Sequence, residues 1–535
     1  MRKSIAVIFT LLILVAFMSG RGATMGPILA ADIPSLTGDK SLPVWIYFRD
    51  KGFDSSTSID IALQESKRNL SERVAWRRGK VRSDANLVDE RDLPVSGDYI
   101  QDVLNTGVRL RTTSRWLNAV SVYANANQID ALLQLPQVHH LERVFCGHRL
   151  PVSNSLPIIT PTPSPVNTRN DYGPSQGQLE QINSIAAHEA GYAGQGIIVL
   201  MLDTGFFKDH VAIPNEQIIA EWDFINDDGN TQNEDTDGET QHNHGTATLT
   251  TLGGSWDGEL YGPAYQAQFL LGKTEDVSQE EPIEEDWYVA GLEWGESLGA
   301  DIASSSLGYI DWYTLDDLDG LTAVTTIAVN TAIEYGMIVT TAAGNQGDEG
   351  LMAPADAFDV LACGAVNIEG EIASFSSRGP TADGRIKPEV CALGIYTYCA
   401  SGSDIQGFRY ANGTSLSTPL IGGVCAQVLS ANPNWTPVQV RHALMSTASQ
   451  AETPDNDYGW GILDVMAALT LLQGLGDLNQ DQELNILDVV LLVNFIVNQV
   501  EPTDQELFLG DGNGDGVLDV LDVVSLIGTI LSTGP

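Results

Sequence analysis

The sequence predicts an α/β fold, a mostly parallel sheet between helices, for about residues 171–473. Uninterrupted apolar runs such as 197–202 and 337–342 have the pattern of strands that are buried on both faces of a sheet. Helix-like apolar runs such as 286–298 and 414–429 alternate with these strands, as expected when crossover helices cover a parallel sheet. At 535 residues the chain is also long enough for additional domains on either side.

The N-terminus is predicted to be a secretory signal peptide, residues 1–31. Two cations precede the apolar run Ile5–Met18, which is short for a stable membrane span, and small residues follow it. Ala23 and Ala30-Ala31 both mark candidate cleavage points. A permanent N-terminal anchor is the alternative. No later segment is long and apolar enough to cross a membrane.

The chain is strongly acidic, with 27 Lys and Arg against 70 Asp and Glu and a net charge of −43. Phosphate groups would repel such a surface, which argues against nucleic acids and anionic membranes as partners. The acidity suits a soluble protein that binds cations, or it serves solubility alone.

Residues 42–147 are predicted to form a small α+β, ferredoxin-like unit with helices on one face of an antiparallel sheet. Strand patterns occur at 43–49 and 138–144. Between them lie a helix-rich stretch at 58–78, a hairpin at 108–111 with 116–123, and a short helix at 128–135. Residues 148–170 are rich in Pro, Ser and Thr and are predicted to be an extended linker that is open to proteolysis.

Cysteines are few for a secreted chain: Cys146, Cys363, Cys391, Cys399 and Cys425. Cys391 and Cys399 are close enough in sequence for a small disulfide, which export would permit. The alternative is that both are buried small apolar residues. No cysteine has the spacing of a metal ligand.

Three chemically capable side chains stand at the edges of predicted elements. Asp203 ends an apolar strand, His244 opens a helical segment, and Ser415 begins a long apolar helix. A serine hydroxyl needs a base to take its proton, and an imidazole base needs a buried carboxylate to fix its tautomer. Asn345 follows another strand, so its amide and the backbone N–H of Ser415 are candidate donors to an oxyanion. Ligands of open α/β sheets bind at the carboxyl ends of strands, where Asp203 and Asn345 fall.

The motifs around these residues, Asp203-Thr204-Gly205, His244-Gly245-Thr246 and Gly413–Pro419 in this order, resemble those of the subtilisin-like serine peptidases, or subtilases. The resemblance covers about residues 171–472. It implies that Asp203 orients the base, that His244 is the general base and acid, that Ser415 is the nucleophile and that Asn345 is an oxyanion donor.

The same resemblance implies a set of substrate-binding residues: Ser306, Leu307, Gly308, Ala343 and Gly344. The first three resemble the family's edge segment, which pairs with the substrate backbone as an added strand. Phe375–Pro380 resembles another sequence mark of the family. Phe206, Leu416 and Ser417 depart from the usual neighbours of the motifs, although none of these changes removes a chemical group.

By this resemblance, the unit at 42–147 is a propeptide, which assists folding and blocks the cleft until it is cut off within 145–170. Ser114–Val120 resembles the central strand of such propeptides. The alternative is an ordinary N-terminal binding domain.

Two acidic segments of the central region have two interpretations each. Asp227–Thr240 offers oxygen ligands to a hard cation, or it is a solvated acidic face. Glu280–Asp286 either lines a subsite that favours basic peptides or is a charge cluster at a helix N-terminus.

An acidic repeat ends the chain, within residues 474–535. Asp477–Asp488 recurs 34 residues later as Asp511–Asp522, and both segments match an EF-hand-type calcium loop. Each is followed by an apolar helix, 489–497 and 523–530. The repeat predicts two calcium sites with the following ligands: Asp477, Asn479, Asp481, Glu483, Asp488, Asp511, Asn513, Asp515, Val517, Asp519 and Asp522.

This repeat resembles a dockerin domain, which has Asp rather than Glu at the last loop position. The resemblance implies a cohesin-like module as partner. Gln482 stands where an EF-hand loop needs Gly, so the first site is expected to be weaker or distorted. The apolar pairs Ile486-Leu487 and Val520-Leu521 suit a docking face.

Together these inferences predict a secreted serine endopeptidase, extracellular or attached to a cell surface, that works through an acyl-enzyme. It is expected to be made as a zymogen inhibited by its own propeptide and tethered through a calcium-binding dockerin. The alternatives are a non-catalytic surface binding protein that uses a peptidase fold as scaffold, and a dockerin that serves only as a calcium-stabilised knob.

Overall fold

The computed structural model describes residues 22–144, 170–277, 285–310, 313–481, 483–498, 501–514 and 516–533. Several sequence predictions lie outside these residues: the signal segment 1–21, Cys146, most of the linker 148–170, the acidic residues 280–284, Gln482 and Asp515.

The N-terminal unit is a five-stranded sheet in the order β1-β5-β2-β4-β3, with antiparallel pairs except for the parallel pair of β1 and β5. Its strands are β1 (Thr24–Met25), β2 (Leu42–Phe48), β3 (Arg109–Ser114), β4 (Ala119–Ala124) and β5 (Val138–Arg143). Its helices are α1 (Pro27–Asp32), α2 (Ser56–Asn69), α3 (Glu72–Gly79), α4 (Gly97–Leu104) and α5 (Ala126–Leu132). The predicted hairpin is β3 and β4, and the α+β prediction for this unit is confirmed.

The helix-rich stretch predicted at 58–78 consists of two helices, α2 and α3. Ser55 caps α2, and Ser71 caps α3 by accepting a hydrogen bond from the backbone N–H of Val74 at 3.2 Å. Leu70, at the end of α2, has extended backbone angles, which interrupts the helix. A serine side chain satisfies an N–H group that the first turn leaves without a partner, so the chain restarts as a second helix in a new direction.

Residues that precede β2 also belong to this unit. Thr24 and Met25 pair with β5, and Leu29 of α1 is fully buried among the apolar side chains of the unit. The folded unit therefore begins before residue 31, the end predicted for the signal peptide.

The central unit is built on a parallel sheet of seven strands in the order β14-β13-β12-β11-β6-β10-β7. These strands are β6 (Ile198–Asp203), β7 (Ile218–Asp223), β10 (Gln268–Lys273), β11 (Ile302–Ser305), β12 (Ile338–Ala342), β13 (Leu361–Val366) and β14 (Val390–Leu393). Two short hairpins accompany them, β8 (Ser255–Trp256) with β9 (Leu260–Tyr261), and β15 (Thr397–Ala400) with β16 (Phe408–Ala411). The predicted α/β fold is confirmed.

Helices cover both faces of this sheet: α6 (Gln176–Glu180), α7 (Ser184–Glu189), α8 (Asn243–Gly253), α9 (Glu285–Leu298), α10 (Val324–Glu334), α11 (Thr414–Ala431), α12 (Pro437–Ser446) and α13 (Val465–Gln473). Alternate residues of β6 belong to two different apolar cores. Val199 and Met201 face the core that contains α11, while Leu200 and Leu202 face the core under α9 and α10. Burial on both faces explains why the strand sequences are continuously apolar.

The C-terminal unit contains α14 (Ile486–Asn498), α15 (Asp504–Gly510) and α16 (Val520–Thr533), and α14 packs against α16. It lies directly on the central unit. Phe508 and Leu509 of α15 join the core of the central unit, and the Phe508 ring stacks on His442 of α12 with centroids 4.1 Å apart.

The cysteines of the described residues are buried free thiols: Cys363, Cys391, Cys399 and Cys425. Of the two sequence interpretations of Cys391 and Cys399, the structure has the second one, small apolar side chains in the interior. Burial raises the pKa of each of these two thiols.

Candidate active site

The structure brings Asp203 and His244 into direct contact. Asp203 is the last residue of β6, and His244 lies in the first turn of α8. Nδ1 of His244 is 2.7 Å from Oδ1 of Asp203. Because Nδ1 is engaged with the carboxylate, Nε2 is the ring nitrogen that is left to exchange a proton with a substrate-side group.

The Asp203 carboxylate is fully buried and held by several donors. Thr248 Oγ donates to Oδ2 at 2.9 Å, and the backbone N–H of Thr204 donates to Oδ1 at 2.7 Å. Burial alone would raise the pKa of Asp203, but the charge of His244 and these hydrogen bonds outweigh it and hold the pKa below its ordinary value. The group is therefore a stable anion beside the imidazole.

The close approach of α8 to β6 depends on Gly245. A Cβ at this position would lie 2.1 Å from the carbonyl oxygen of Gly205 and 3.1 Å from the Cβ of Asp203. A side chain here would push the first turn of α8 away from the strand and separate His244 from Asp203.

Ser415 lies in the first turn of α11, in the same cleft as His244. Gly413, the residue at which the chain turns into this helix, has a backbone φ of +147°, which residues other than glycine rarely adopt. The Ser415 hydroxyl donates to the carbonyl oxygen of Ser306 at 3.3 Å, and the Ser306 hydroxyl donates to the carbonyl oxygen of Ser415 at 2.9 Å. The hydroxyl is thus held beside the segment that follows β11.

Asn345 is oriented by Thr414, the residue before Ser415. Its Oδ1 accepts hydrogen bonds from the backbone N–H and from the hydroxyl of Thr414, both at 2.9 Å. Since the amide oxygen is committed to Thr414, the amide NH₂ group is the part that is available to a ligand in the cleft. Sequence reasoning did not identify Thr414 or Thr248, because a threonine beside a motif is common and has many other uses.

The cleft that holds these groups is lined by eleven residues: His244, Glu275, Ser306, Leu307, Gly308, Ala342, Gly344, Asn345, Met352, Thr414 and Ser415. Four of the five substrate-binding residues predicted from sequence are among them. Ala343 is not among them, because it is fully buried behind the lining of the cleft. Its N–H donates to the carbonyl of Cys363, and its carbonyl accepts from the N–H of Met352. Ala342 takes its place in the lining, as expected when successive residues of an extended segment face opposite sides.

The three departures from the family motifs lie in the interior. Phe206 and Ser417 are fully buried and Leu416 is nearly so. The Ser417 hydroxyl donates to the carbonyl of Thr414 at 2.9 Å, which ties it into its own helix. These side chains support the site from behind and do not line the cleft.

The segment Phe375–Pro380 supports the loop that holds Asn345. The Ser377 hydroxyl accepts from the backbone N–H of Gln346 at 3.0 Å, and the Ser377 N–H donates to the carbonyl of Gly344 at 2.9 Å. This sequence mark therefore fixes the backbone on both sides of Asn345.

The N-terminal unit is attached to α9 by buried arginines. Arg77 and Arg78 of α3 both pair with Glu296, and all three side chains are essentially inaccessible to solvent. Burial alone would raise the pKa of Glu296, but the charges of Arg77 and Arg78 and their hydrogen bonds hold it below its ordinary value. At the other end of α9, Arg111 binds Asp286 with two hydrogen bonds of 2.7 and 2.9 Å.

In the uncleaved chain, the two described residues of Glu280–Asp286 do not line the cleft. Asp286 is committed to Arg111, and Glu285 is fully buried and accepts a hydrogen bond from the Tyr313 hydroxyl at 2.6 Å. Both carboxylates lie in the first turn of α9 and are paired there, as buried carboxylates need to be.

Two carboxylates of the acidic loop gather around Asp223, the last residue of β7. Oxygen atoms of Asp223, Asp228 and Glu234 lie within 4.8 Å of one another. Asp223 is fully buried, and Lys273 is paired with it and with Asp237, each at 2.8 Å. The loop is therefore partly neutralised by a lysine of β10, and the three carboxylates are a candidate cation site.

The two C-terminal loops close on their last aspartates. Asp488 accepts from the N–H of Asn479 at 3.2 Å and of Asn485 at 2.9 Å, and Asp522 accepts from the N–H of Asp519 at 2.8 Å. Both carboxylates are fully buried. Gly516, at the sixth position of the second loop, has a φ of +80°, as the sharp turn of such a loop requires.

Models of known families match three parts of the chain. The subtilase family model matches residues 194–461, the peptidase S8 propeptide domain of Bacteroidota matches residues 43–155, and the dockerin type I domain matches residues 475–531. The three matches coincide with the central, N-terminal and C-terminal units.

Similar sequences include well-known peptidases. The chain is 29% identical to subtilisin E of Bacillus subtilis over 375 residues, 69% of this chain and 85% of the relative. It is 31% identical to subtilisin of Bacillus pumilus over 296 residues, 54% of this chain and 97% of the relative.

Among solved structures, the fold is similar to that of fervidolysin from Fervidobacterium pennivorans, a keratinolytic enzyme related to subtilisin. The TM-score is 0.58 at 19% identity, and the match covers 84% of this chain and 63% of that chain. At this identity the likeness shows the fold alone.

Proposed function

This chain belongs to the subtilase family and is a serine endopeptidase with a propeptide and a dockerin domain, and we propose that Asp203, His244 and Ser415 form its catalytic triad. The observation that carries the proposal is the 2.7 Å contact between Asp203 and His244 in the cleft that Ser415 and Asn345 line. Each of these residues stands at the matching motif of the family.

In the proposed reaction, Ser415 Oγ attacks the carbonyl carbon of the scissile peptide bond while Nε2 of His244 takes its proton. The anion of Asp203 stabilises the imidazolium and keeps its Nδ1–H pointing inward. Negative charge develops on the carbonyl oxygen, where the Asn345 amide and the backbone N–H of Ser415 are the proposed donors.

Collapse of the tetrahedral intermediate breaks the C–N bond, and His244 gives the proton to the leaving amine. The acyl group stays on Ser415 as an ester. Water then attacks this ester with His244 as base, and the carboxylic acid product leaves with Ser415 regenerated. No group outside these four residues is needed to balance the protons.

A direct test is peptide hydrolysis by the processed chain and by Ser415→Ala. We expect the variant to lose at least about 10⁴-fold in kcat. Ser417→Ala is a matched control, since its hydroxyl lies on the same helix but bonds to the Thr414 carbonyl. Equal activity of wild type and Ser415→Ala would contradict the assignment of Ser415 as the nucleophile.

We also propose that the unit at 42–147 keeps the enzyme inactive until it is cut off within 145–170. About half of the chain's 27 lysines and arginines fall in residues 42–147, and several pair with carboxylates of α9. The propeptide therefore supplies counter-charges to an otherwise acidic enzyme. The proposed units that follow are a linker at 148–170, the peptidase at 171–473 and the dockerin at 474–535.

Export is proposed to remove a signal peptide that is shorter than residues 1–31. Thr24, Met25 and Leu29 are part of the folded N-terminal unit, which favours cleavage near Ala23 over cleavage at Ala30-Ala31. In the part of the chain that the structure describes, no helix combines the length and apolar character needed to span a bilayer. N-terminal sequencing of exported Ser415→Ala should find a start near residue 24, and a start after residue 31 would contradict the proposal.

The dockerin is proposed to bind two calcium ions and a cohesin-like module. Buried aspartates close both loops, and Asp477, Asn479 and Asp481 add the oxygen ligands that calcium prefers. The apolar pairs Ile486-Leu487 and Val520-Leu521 are each more than half exposed, which suits a docking face.

Binding to an immobilised cohesin should require calcium and should be lost when both leucines are changed, in Leu487→Asp/Leu521→Asp. Unchanged folding of this variant, measured by circular dichroism, separates lost docking from lost structure. Absence of cohesin binding by the calcium-loaded wild type would favour the alternative, in which the domain only stabilises the chain through calcium.

A further inference from the structure

The cleft contains a small pocket beside Ser415. One wall is Ser306–Gly308, which continues β11, and the other is Ala342–Asn345, which continues β12. The two strands are neighbours in the sheet, so the walls begin side by side and the pocket opens between them. Gly308 and Gly344 contribute no side chain to the space between these walls.

The side chain of Met352 fills that space. A Cβ added to Gly308 would lie 3.0 Å from the Cβ and the Cε of Met352, and one added to Gly344 would lie 2.8 Å from its Cγ. The methionine side chain therefore occupies the space beside both glycines, and only 3% of its surface is exposed.

The backbone at Met352 is tied to both walls. Its N–H donates to the carbonyl of Ala343 at 3.1 Å, and the next residue, Ala353, exchanges two hydrogen bonds with Tyr309 at 2.8 and 3.0 Å. Because the main chain is fixed on both sides, the methionine cannot leave the pocket by a backbone shift alone.

With Met352 in place, the cleft around Ser415 encloses only about 30 Å³ of free space. A cavity that accepts a benzene ring measures roughly 150 Å³. An aromatic or long aliphatic side chain therefore does not fit above Met352, while hydrogen, methyl or hydroxymethyl groups do.

The position of the pocket identifies the substrate residue that it receives. Asn345 and the backbone N–H of Ser415 are the donors proposed to hold the carbonyl oxygen of the scissile bond. The side chain of the residue that owns this carbonyl starts only two bonds from the carbonyl carbon, so it must enter the space next to Asn345 and Ser415.

We propose that Met352 is a specificity-determining residue, which restricts cleavage to peptide bonds that follow a small residue, namely Gly, Ala or Ser. The inference rests on the proposed peptidase function and adds a substrate class to it. Removal of the methionine side chain opens the space between Gly308 and Gly344 and admits larger residues.

The test uses peptides that differ only in the residue before the cleaved bond, Ala or Phe, with the processed full chain as enzyme. Titration with a fluorophosphonate gives the concentration of active sites in each preparation. We expect wild type to favour Ala over Phe at least about 50-fold in kcat/KM. A single methylene group that a pocket accepts or rejects already changes kcat/KM by roughly 10- to 200-fold. Met352→Gly and, as a milder truncation, Met352→Ala should shift the ratio toward Phe by a similar factor.

Met352→Leu is the matched control, because it keeps the volume of the side chain and should keep the preference for Ala. Equal cleavage after Phe and Ala by wild type, or unchanged ratios in both truncated variants, would overturn the inference while leaving the peptidase function intact. Hydrolysis of neither peptide and no labelling by the fluorophosphonate would overturn the proposed function and this inference together.

Discussion

Oδ1 of Asp203 lies 2.7 Å from Nδ1 of His244, while Oδ2 of the same carboxylate accepts a hydrogen bond from Thr248 at 2.9 Å. Both oxygens are thus occupied, so the carboxylate cannot rotate, and the imidazole is held in a single orientation. The tautomer with the proton on Nδ1 follows from this contact, and it is the tautomer that a base toward Ser415 needs.

Asp203→Asn should lower kcat about 10⁴-fold with little change in KM. The amide keeps the shape of the side chain but favours the wrong tautomer of His244, so the base loses its lone pair toward the cleft. Steady-state kinetics on a peptide substrate would measure the effect. A loss of less than about tenfold would show that Asp203 does not orient the base.

Thr414→Val should lower kcat by about tenfold, the worth of one hydrogen bond that holds the oxyanion donor. The hydroxyl of Thr414 donates to Asn345 Oδ1 at 2.9 Å, and valine keeps the shape without the donor. The backbone N–H of Thr414 remains, so Asn345 is loosened rather than released. KM should stay nearly constant, because the interaction matters most when charge develops in the transition state.

Thr418→Val is the control for this change. Thr418 lies one turn further along the same buried helix, and its hydroxyl donates to the carbonyl of Thr414 rather than to Asn345. An equal fall in kcat for both variants would mean that the helix was disturbed and that Thr414 has no special part in positioning Asn345.

Arg77→Ala should destabilise the uncleaved zymogen by about 3–5 kcal/mol, the usual result of removing one partner of a buried ion pair. Arg77, Arg78 and Arg115 share Glu296, and the buried carboxylate would lose one of its three counter-charges. Urea unfolding of the inactive Ser415→Ala chain with and without Arg77→Ala would measure the difference. Arg68→Ala, at an exposed position of α2, should have no comparable effect.

The pH dependence of this contact follows from the lowered pKa of Glu296. In the unfolded chain the group titrates near its ordinary value of about 4.3. Because the folded pKa is lower, the ionised carboxylate contributes stability above pH 4.3, and this contribution is lost as the pH falls through the folded pKa. Mild acidification to pH 5 is therefore not expected to detach the propeptide.

The comparison that checks this is between Ser415→Ala and Ser415→Ala/Glu296→Gln. The two chains should differ in unfolding free energy by a constant amount from pH 7 to about pH 5, and the difference should shrink at lower pH as Glu296 becomes protonated and resembles glutamine. A difference that already disappears between pH 7 and pH 5 would contradict the direction of the shift.

Calcium should bind the two dockerin loops unequally. Gly516 gives the second loop the left-handed turn at its sixth position, whereas the first loop has Gln482 there. Calorimetric titration of the full chain should show a tighter site that is removed by Asp522→Asn and a weaker one that is removed by Asp488→Asn. A tighter site that depends on Asp488 would reverse the assignment.

The fold followed from sequence wherever local patterns carried it. The strands β6 and β12 and the helices α9 and α11 begin and end within two residues of their predicted bounds, because each is a long apolar segment between polar ends. The interruption between α2 and α3 was missed, since the charged stretch continues through it and only the serine cap at Ser71 marks the break.

The groups at the candidate site were found from motifs, but the side chains that hold them were not. Thr248 and Thr414 act through contacts between elements that are distant in sequence, and a threonine carries no local signal for such a role. Met352 belongs to no motif, and its place in the pocket follows from its own hydrogen bond to Ala343 and from those between Ala353 and Tyr309. The buried pairing of Arg77 and Arg78 with Glu296 likewise depends on the packing of two separate units.

The central claim is that Ser415 is the nucleophile, and covalent labelling tests it most directly. The processed chain is treated with a fluorophosphonate, and the modified peptide is identified by mass spectrometry. One label per molecule is expected, attached to Ser415, with labelling lost in Ser415→Ala and strongly slowed in His244→Ala. Labelling on another residue, or undiminished labelling of Ser415→Ala, would contradict the claim.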